Sequence, residues 1–165
     1  MTVYDQIIAR VVKDENSNDT HGIYYLQPLE RGFGITIGNA LRRVLLTSIP
    51  GAAICSIKID GVLHEFSTIP GVREDVAEII LNLKQVRLKL FDPKPDKVTL
   101  HFKGAGEFTA GMIGENITQF KILNPDLHIC TMNEDADFNI EIRIARGTGW
   151  VPAEKNKLPD YPIGT

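Results

Sequence analysis

The stretch ERGFGITIGNALRRVLLTSIPG (residues 30–51) has three glycines in its first half, a pattern typical of an amphipathic helix, and a proline–glycine stop at its end. In a helix over residues 36–48 the apolar positions share one face, because they recur at intervals of three and four; they are Ile37, Ala40, Leu41, Val44 and Leu45. We expect this face to pack on a sheet as part of a core. Since Pro50 and Gly51 end the helix, the sequence predicts a first domain over residues 1–51 and a second over residues 52–165.

The glycines before the helix raise the question of a nucleotide site. A dinucleotide-binding fingerprint would need a glycine at position 37, where this chain has Ile37. A phosphate-binding loop of the Walker type would need a lysine after Gly38, where Asn39 stands. A stand-alone nucleotide-binding enzyme is therefore only a minor alternative. The simpler interpretation is that the glycines allow close packing and unusual φ angles, with Thr36 or Asn39 capping the helix.

The composition is typical of a globular protein, with 43% apolar and 24% charged residues among 165. The net charge is −3 and no long basic run occurs, so direct binding to DNA is not expected. The N-terminus has no signal-peptide pattern, and no stretch approaches the roughly 18 apolar residues of a membrane span. We predict a cytoplasmic protein without a membrane partner, in which Cys55 and Cys130 are reduced and buried.

Local patterns predict the remaining elements. Short strands at residues 6–12 and 23–26 are expected to pair, and the Asp60-Gly61 turn predicts a hairpin of residues 54–60 with 62–66. Apolar spacing predicts a helix over residues 72–84, with acidic residues at its N-terminal end.

Beyond that helix the apolar period changes to two. This alternation predicts strands at residues 86–90, 98–102 and 138–144, whereas the glycine-rich residues 104–114 are expected to form a loop or an irregular ribbon rather than a regular element.

The chain offers little sign of catalytic or metal chemistry. His64-Glu65 lacks the second histidine of a zinc hydrolase motif, because Thr68 stands in its place, and no serine has a nucleophile-elbow context. The other histidines show no ligand spacing, so we predict no catalytic residue, cofactor or metal site. Trp150 is expected to anchor the end of a strand.

The face of the first helix opposite its apolar stripe is more informative. It carries Asn39, Arg42, Arg43 and Leu46, so a leucine lies beside two arginines on the side expected to face solvent. Arginine beside an exposed leucine suits a protein interface, although a single exposed leucine is also ordinary. The residues alone leave these two interpretations open.

Three quoted runs carry a resemblance to a known family. They are LERGFGITIGNALRRVLLTSIPGAAICSIKIDGVLHEFSTIPGVREDVAEIILNLK, LNPDLHICTMNEDADFNIEIRIARGTGWVPA and the later YPIG. Together they closely resemble the N-terminal part of the bacterial RNA polymerase alpha subunit, over residues 4–164. The resemblance implies an α+β fold: a discontinuous sheet-plus-helix dimerisation domain, represented here by its N-terminal half, with an inserted α+β subdomain.

The same resemblance implies a function and its residues. The chain would be an assembly scaffold of a nucleotidyltransferase complex in transcription, which dimerises and receives the beta and beta-prime subunits without catalytic residues of its own. The family's dimer interface corresponds here to Phe33, Ile37, Leu41 and Leu45. The positions that resemble large-subunit contacts are Arg43, Leu46 and Glu78 for beta and Lys84 for beta-prime, although Glu78 and Lys84 could equally be solvated charges.

The family continues well beyond the PIG motif, whereas this sequence ends at Thr165. If that end is real, we expect about half of the dimerisation domain to be absent and specific dimerisation of this chain to be weak. A related dimerisation module of another complex is the second alternative.

Overall fold

The computed structural model describes residues 9–18, 21–91, 96–115 and 117–156. The chain divides into two compact units, Met1–Thr47 and Ser48–Thr165. This division falls four residues before the predicted boundary, because the first strand of the second unit already begins at Pro50. That residues 52–165 form an independent inserted subdomain stays a prediction.

The first unit contains two strands and one helix in its described part. Strands β1 (Arg10–Lys13) and β2 (Tyr24–Gln27) pair antiparallel, with Val11 opposite Leu26, so the predicted pairing is confirmed. The first half of the predicted strand at residues 6–12 lies outside the described residues. Helix α1 spans Phe33–Thr47 and begins three residues earlier than predicted, after Gly32 with φ of 93°. The proposed caps at positions 36 and 39 therefore lie inside the helix.

The prediction that the apolar stripe of α1 forms a core face is wrong for this structure. No residue of α1 is buried, and the side chains of Leu41 and Leu45 are 53% and 60% exposed. The sheet described in this unit is a ribbon of two four-residue strands, most of whose own side chains are exposed. It is too small to cover a helix of 15 residues.

The second unit contains seven strands and three helices in its described part. The strands are β3 (Pro50–Ile59), β4 (Leu88–Leu90), β5 (Asp96–Lys103), β6 (Gly106–Thr109), β7 (Phe120–Ile122), β8 (His128–Met132) and β9 (Asp137–Thr148). The helices are α2 (Val76–Leu83), α3 (Ala110–Ile113) and α4 (Ala153–Asn156).

Strand β9 organises this unit. It lies between β3 and β5 in an antiparallel sheet, while β4 pairs with β7 and β6 pairs with β8. Its alternate residues are buried, as their alternation in sequence predicts; they are Phe138, Ile140, Ile142 and Ile144. The register with β3 shifts between Ile54 and Ser56, so Cys55 sits at a bulge.

The predicted hairpin through Asp60-Gly61 is wrong, although its turn exists. Gly61 has a φ of 80° and the Val62 N–H donates to the Ile59 carbonyl, yet residues 62–66 form no strand. Strand β9 takes the place predicted for them, since Ile59 pairs with Ile140.

Three further expectations need correction. Residues 104–114 contain β6 and α3 rather than an irregular loop, because Phe108 and Ile113 are buried in the core and β6 pairs with β8. The predicted second helix begins at Val76 instead of residue 72, since the Asp75 carboxylate caps it by accepting from the Glu78 N–H at 2.7 Å. Trp150 is 86% exposed and anchors nothing in the described structure.

Candidate protein-interaction site

One side of α1 carries the four residues predicted for a dimer interface. Phe33, Ile37, Leu41 and Leu45 follow one another at intervals of four, so they share a face. Three of them are exposed and Ile37 is half-buried. Gly34 and Gly38 lie on the same face, and a Cβ atom on either would meet no other atom within 4 Å. The structure therefore presents an open apolar surface with backbone accessible at two points.

The other side of α1 carries Arg43 and Leu46, three residues apart. Both are exposed, Leu46 to 60%. The last turn below them is closed by Thr47, whose hydroxyl donates to the Arg43 carbonyl at 2.7 Å. The structure thus keeps this pair on a surface distinct from the apolar stripe.

A similar arrangement occurs on α2. Glu78, Leu81 and Lys84 follow one another at intervals of three, and all three side chains are exposed, Leu81 to 60%. Sequence reasoning identified the two charges but missed Leu81. Leu81 could have been found from sequence, because it falls outside the apolar stripe that α2 buries.

Packing on the opposite side holds α2 in this orientation. The buried residues are Val76, Ile79 and Leu83. The Asn82 amide also donates to the Ile129 carbonyl of β8 at 2.9 Å. The exposed strip formed by Glu78, Leu81 and Lys84 is therefore held in a fixed orientation.

A groove of about 750 Å³ lies between β3, α2 and α4, and its lining is mostly apolar. Leu81 and Lys84 line it from the helix, and Cys55 lines it from the bulge in β3, where its thiol donates to the Arg143 carbonyl at 3.3 Å. The exposed strip of α2 thus continues into a concave apolar surface.

A buried carboxylate fixes the chain just before α2. Glu74 is 4% exposed and accepts hydrogen bonds from the Thr131 N–H at 2.7 Å and from the Thr131 hydroxyl at 3.2 Å. Burial alone would raise the pKa of Glu74, but these bonds and one from His128 lower it to about 2. Sequence reasoning treated Glu74 only as a charge favourable to the helix N-terminus, because its hydrogen-bond partners Thr131 and His128 lie more than fifty residues away.

Other kinds of site find less support in the described part of the chain. No group of three or more His, Cys, Asp or Glu side chains there could hold a metal ion. Gly34 and Gly38 lie within α1, so the glycines do not form a phosphate-binding loop ahead of a helix. None of the helices described combines the length and apolar character needed to cross a bilayer.

These features define an α+β protein whose helices present leucine beside charge, the surface chemistry of protein–protein association. Residues 57–165 match the family model for the RNA polymerase Rpb3/RpoA insert domain, and the chain belongs to that family.

Curated relatives agree with this membership. The chain is 54% identical over 154 residues to the DNA-directed RNA polymerase subunit alpha of Symbiobacterium thermophilum, covering 93% of this chain and 48% of that protein. For the subunit of the same name from Desulforudis audaxviator the identity is 56% over 145 residues, covering 88% and 46%. For that of Prosthecochloris aestuarii it is 53% over 160 residues, covering 96% and 49%. The chain spans about half the length of these relatives, and the resemblance and α+β class predicted from sequence are confirmed.

Proposed function

We propose that this chain provides assembly surfaces of a DNA-directed RNA polymerase alpha subunit in the cytoplasm. As part of the full-length subunit, it pairs with a second copy through α1 and docks the beta and beta-prime subunits, while catalysis of nucleotidyl transfer belongs to the complex. The observation that carries the proposal is an identity above one half, over some nine-tenths of the chain, with proteins named as that subunit. The inserted α+β subdomain, residues 52–165, is the second part of this platform.

The exposed face of α1 supports pairing with a second copy. Phe33, Leu41 and Leu45 offer apolar area that the described residues of this chain leave open. Gly34 and Gly38 are four residues apart on the same face, and glycine lets another backbone approach closely because it has no Cβ. Glycines inside a helix reduce its stability, so their presence on this face is better explained by close contact with another helix.

Sedimentation equilibrium of the full-length subunit over a wide concentration range tests the pairing. Alanine at position 38 favours the helix by up to about 1 kcal/mol, yet its methyl group holds a partner helix away. Gly38→Ala should therefore weaken self-association about tenfold or more. Asn39→Ala, which also raises helix propensity but points elsewhere, is the matched control and should leave self-association unchanged. Equal behaviour of the two variants would argue against this interface.

The exposed charge and leucine pairs support docking of the large subunits. Arg43 and Leu46 on α1 are proposed to contact beta, as is Glu78 on α2, and Lys84 is proposed to contact beta-prime. Leu81 lies between the last two and adds apolar area to that contact. An arginine near the centre of an interface contributes about 2 kcal/mol or more, which corresponds to roughly thirtyfold in affinity.

Co-purification of the tagged chain with beta and beta-prime tests the docking. Arg43→Ala should reduce recovery of beta while shifting the free energy of unfolding by no more than about 0.5 kcal/mol, because its side chain is exposed. Arg87→Ala removes an exposed arginine elsewhere and should not affect recovery.

The same design separates the second contact. Lys84→Ala should reduce recovery of beta-prime, whereas Lys121→Ala, an exposed lysine on β7, should not. Normal recovery with Arg43→Ala and Lys84→Ala together would refute these assignments, and failure of the unaltered chain to recover either subunit would refute the proposed function.

A further inference from the structure

A histidine in the second unit lies between two carboxylates. His128 Nδ1 is 2.6 Å from Glu107 Oε1, and His128 Nε2 is 3.1 Å from Glu74 Oε1. The three residues come from β8, from β6 and from the segment just before α2. We propose that this Glu74–His128–Glu107 cluster is a proton-dependent clamp, in which protonated His128 joins both the start of α2 and β6 to β8, and whose His128–Glu107 link opens when His128 loses its proton.

The geometry itself requires the protonated ring. An ionised carboxylate only accepts hydrogen bonds, and a neutral imidazole has a single N–H. Both contacts of His128 are therefore hydrogen bonds only when both of its nitrogens carry protons. After loss of one proton, a nitrogen lone pair faces a carboxylate oxygen, and one contact must break.

The surroundings decide which contact breaks first. Glu74 is buried and remains tied to the Thr131 N–H and hydroxyl, whereas the Glu107 side chain is 59% exposed. The Glu107 side chain can therefore rotate away from His128 and be hydrated, whereas the buried Glu74 side chain cannot. The neutral ring keeps its proton on Nε2 toward Glu74, and the link between β8 and β6 opens.

Other charged and titratable groups at the cluster do not remove this response. Among the described residues they are Arg73, 3.2 Å from Glu74 Oε1 and 77% exposed, and Cys130 on β8. Burial raises the pKa of Cys130 to about 12, so it remains a thiol at neutral pH. The hydrogen bonds with Glu107 and then Glu74 raise the pKa of His128, and Glu74 stays ionised because its pKa is about 2.

The direction of the pH effect follows from this raised pKa. A histidine in the unfolded chain titrates near 6.5, so the clamp stabilises the fold fully below about pH 6.5. That stabilisation is lost as pH rises through the higher pKa of the native state. Between the two values the folding equilibrium constant falls by up to about tenfold per pH unit. The inference goes beyond the proposed function and does not depend on it, since it concerns only the second unit.

Two measurements on the whole chain test the clamp. Nuclear magnetic resonance titration of the imidazole protons should give His128 a pKa above the ordinary histidine value of about 6.5, and Glu107→Gln should lower it. Urea unfolding between pH 6 and 9 should show a loss of stability that His128→Gln removes. His64→Gln is the matched control, because that exposed ring contacts Ser67 and no carboxylate in the described structure, and it should retain the loss.

The outcomes are decisive in either direction. A His128 pKa at or below about 6.5, or an unchanged value in Glu107→Gln, would overturn the clamp. So would an undiminished loss of stability in His128→Gln. If His128→Gln does not fold, the titrations of the unaltered chain and of Glu107→Gln, whose altered side chain is exposed, still decide the question.

Discussion

Two glycines with nearly equal backbone angles allow a sharp test of packing in the second unit. Gly71 has a φ of 78° and Gly61 a φ of 80°, both in the left-handed region. A Cβ atom on Gly71 would lie 2.4 Å from the backbone nitrogen and 2.6 Å from the Cα atom of Ala136, whereas one on Gly61 would meet nothing within 4 Å. Gly71→Ala therefore adds a steric clash to the conformational strain that both substitutions share.

The expected cost follows from these two contributions. Placing alanine in the left-handed region costs about 1–2 kcal/mol at either position. The clash adds about 1–3 kcal/mol, because backbone atoms must move. They cannot move freely, since the Ala136 N–H donates to the Asn133 carbonyl and the Ala136 carbonyl accepts from the Gly104 N–H at 2.8 Å. We expect Gly71→Ala to lower the free energy of unfolding by about 2–5 kcal/mol and Gly61→Ala by no more than about 2.

Urea unfolding followed by circular dichroism measures the difference. With a denaturant dependence of about 1–3 kcal/mol per molar urea, an extra 2 kcal/mol lowers the midpoint by about 1 M. Midpoints that fall equally in the two variants would refute the close approach of the backbone at Gly71 to that at Ala136, and with it the described packing of these two turns.

Two further predictions concern ionisation and thiol chemistry. The pKa of Glu74 is lowered to about 2, so its ionised form stabilises the native state above about pH 4.5. This stabilisation should disappear as pH falls toward 2. Acid unfolding curves of Glu74→Gln should show a weaker dependence of stability on pH over that range. Cys55 is half-buried and lines a groove, whereas Cys130 is fully buried and its pKa is raised to about 12. A thiol reagent should therefore modify only Cys55 in the native chain and both cysteines after unfolding. Loss of the fast reaction in Cys55→Ala would confirm the assignment, and rapid modification of both native thiols would contradict the described core.

The elements predictable from sequence are those whose burial pattern is local. Strand β9 could be predicted because its apolar residues alternate with polar ones over many positions. Every second residue of the strand from 138 to 144 is buried. Helix α2 could be predicted for the same reason, although the apolar spacing places its start at residue 72 instead of Val76. There Val72 continues the helical spacing but forms an isolated bridge with Met132 instead. A contact sixty residues away overrides a local period at that point.

The elements that sequence reasoning missed depend on distant partners. Residues 62–66 follow a good turn, yet β9 pairs with β3 where a hairpin would place them. The glycines at positions 104, 106, 111 and 114 predict a segment without regular structure, yet it contains β6 and α3. Both are stabilised by burial of Phe108, Ala110 and Ile113. Composition describes a segment by itself, whereas strand pairing depends on which other segment is available.

The candidate site divides in the same way. Helical geometry alone places Arg43 and Leu46 off the apolar stripe, but their role as large-subunit contacts came from the resemblance and stays a prediction. Whether Leu41 and Leu45 are covered depends on a facing surface, which periodicity does not reveal, and the predicted core face was wrong for that reason. The burial of Glu74 likewise depends on residues of β8 that no pattern near it indicates.

The two longer helices differ in what stabilises them, and this difference bears on assembly. Helix α2 has only eight residues, but it buries three apolar side chains and has an aspartate cap, so its own unit holds it. Helix α1 has 15 residues, two internal glycines, no acidic residue in its first turn and no basic residue in its last. An isolated helix of that length is marginal in water, and each glycine costs about 1 kcal/mol relative to alanine.

Since no residue of α1 is buried by the described parts of this chain, the stabilisation that tertiary packing normally gives a helix has to come from another surface. The two sides of α1 call for different surfaces, because one is an apolar stripe with open glycines and the other sets an arginine beside a leucine. A second copy of the helix fits the first side, since like apolar faces can pack together and the glycines permit close approach. A partner with carboxylates or carbonyls around an apolar pocket fits the second. On the proposed function, folding of this helix and assembly of the complex are therefore one coupled equilibrium, in which dimerisation stabilises the helix that presents Arg43 and Leu46 to the large subunit.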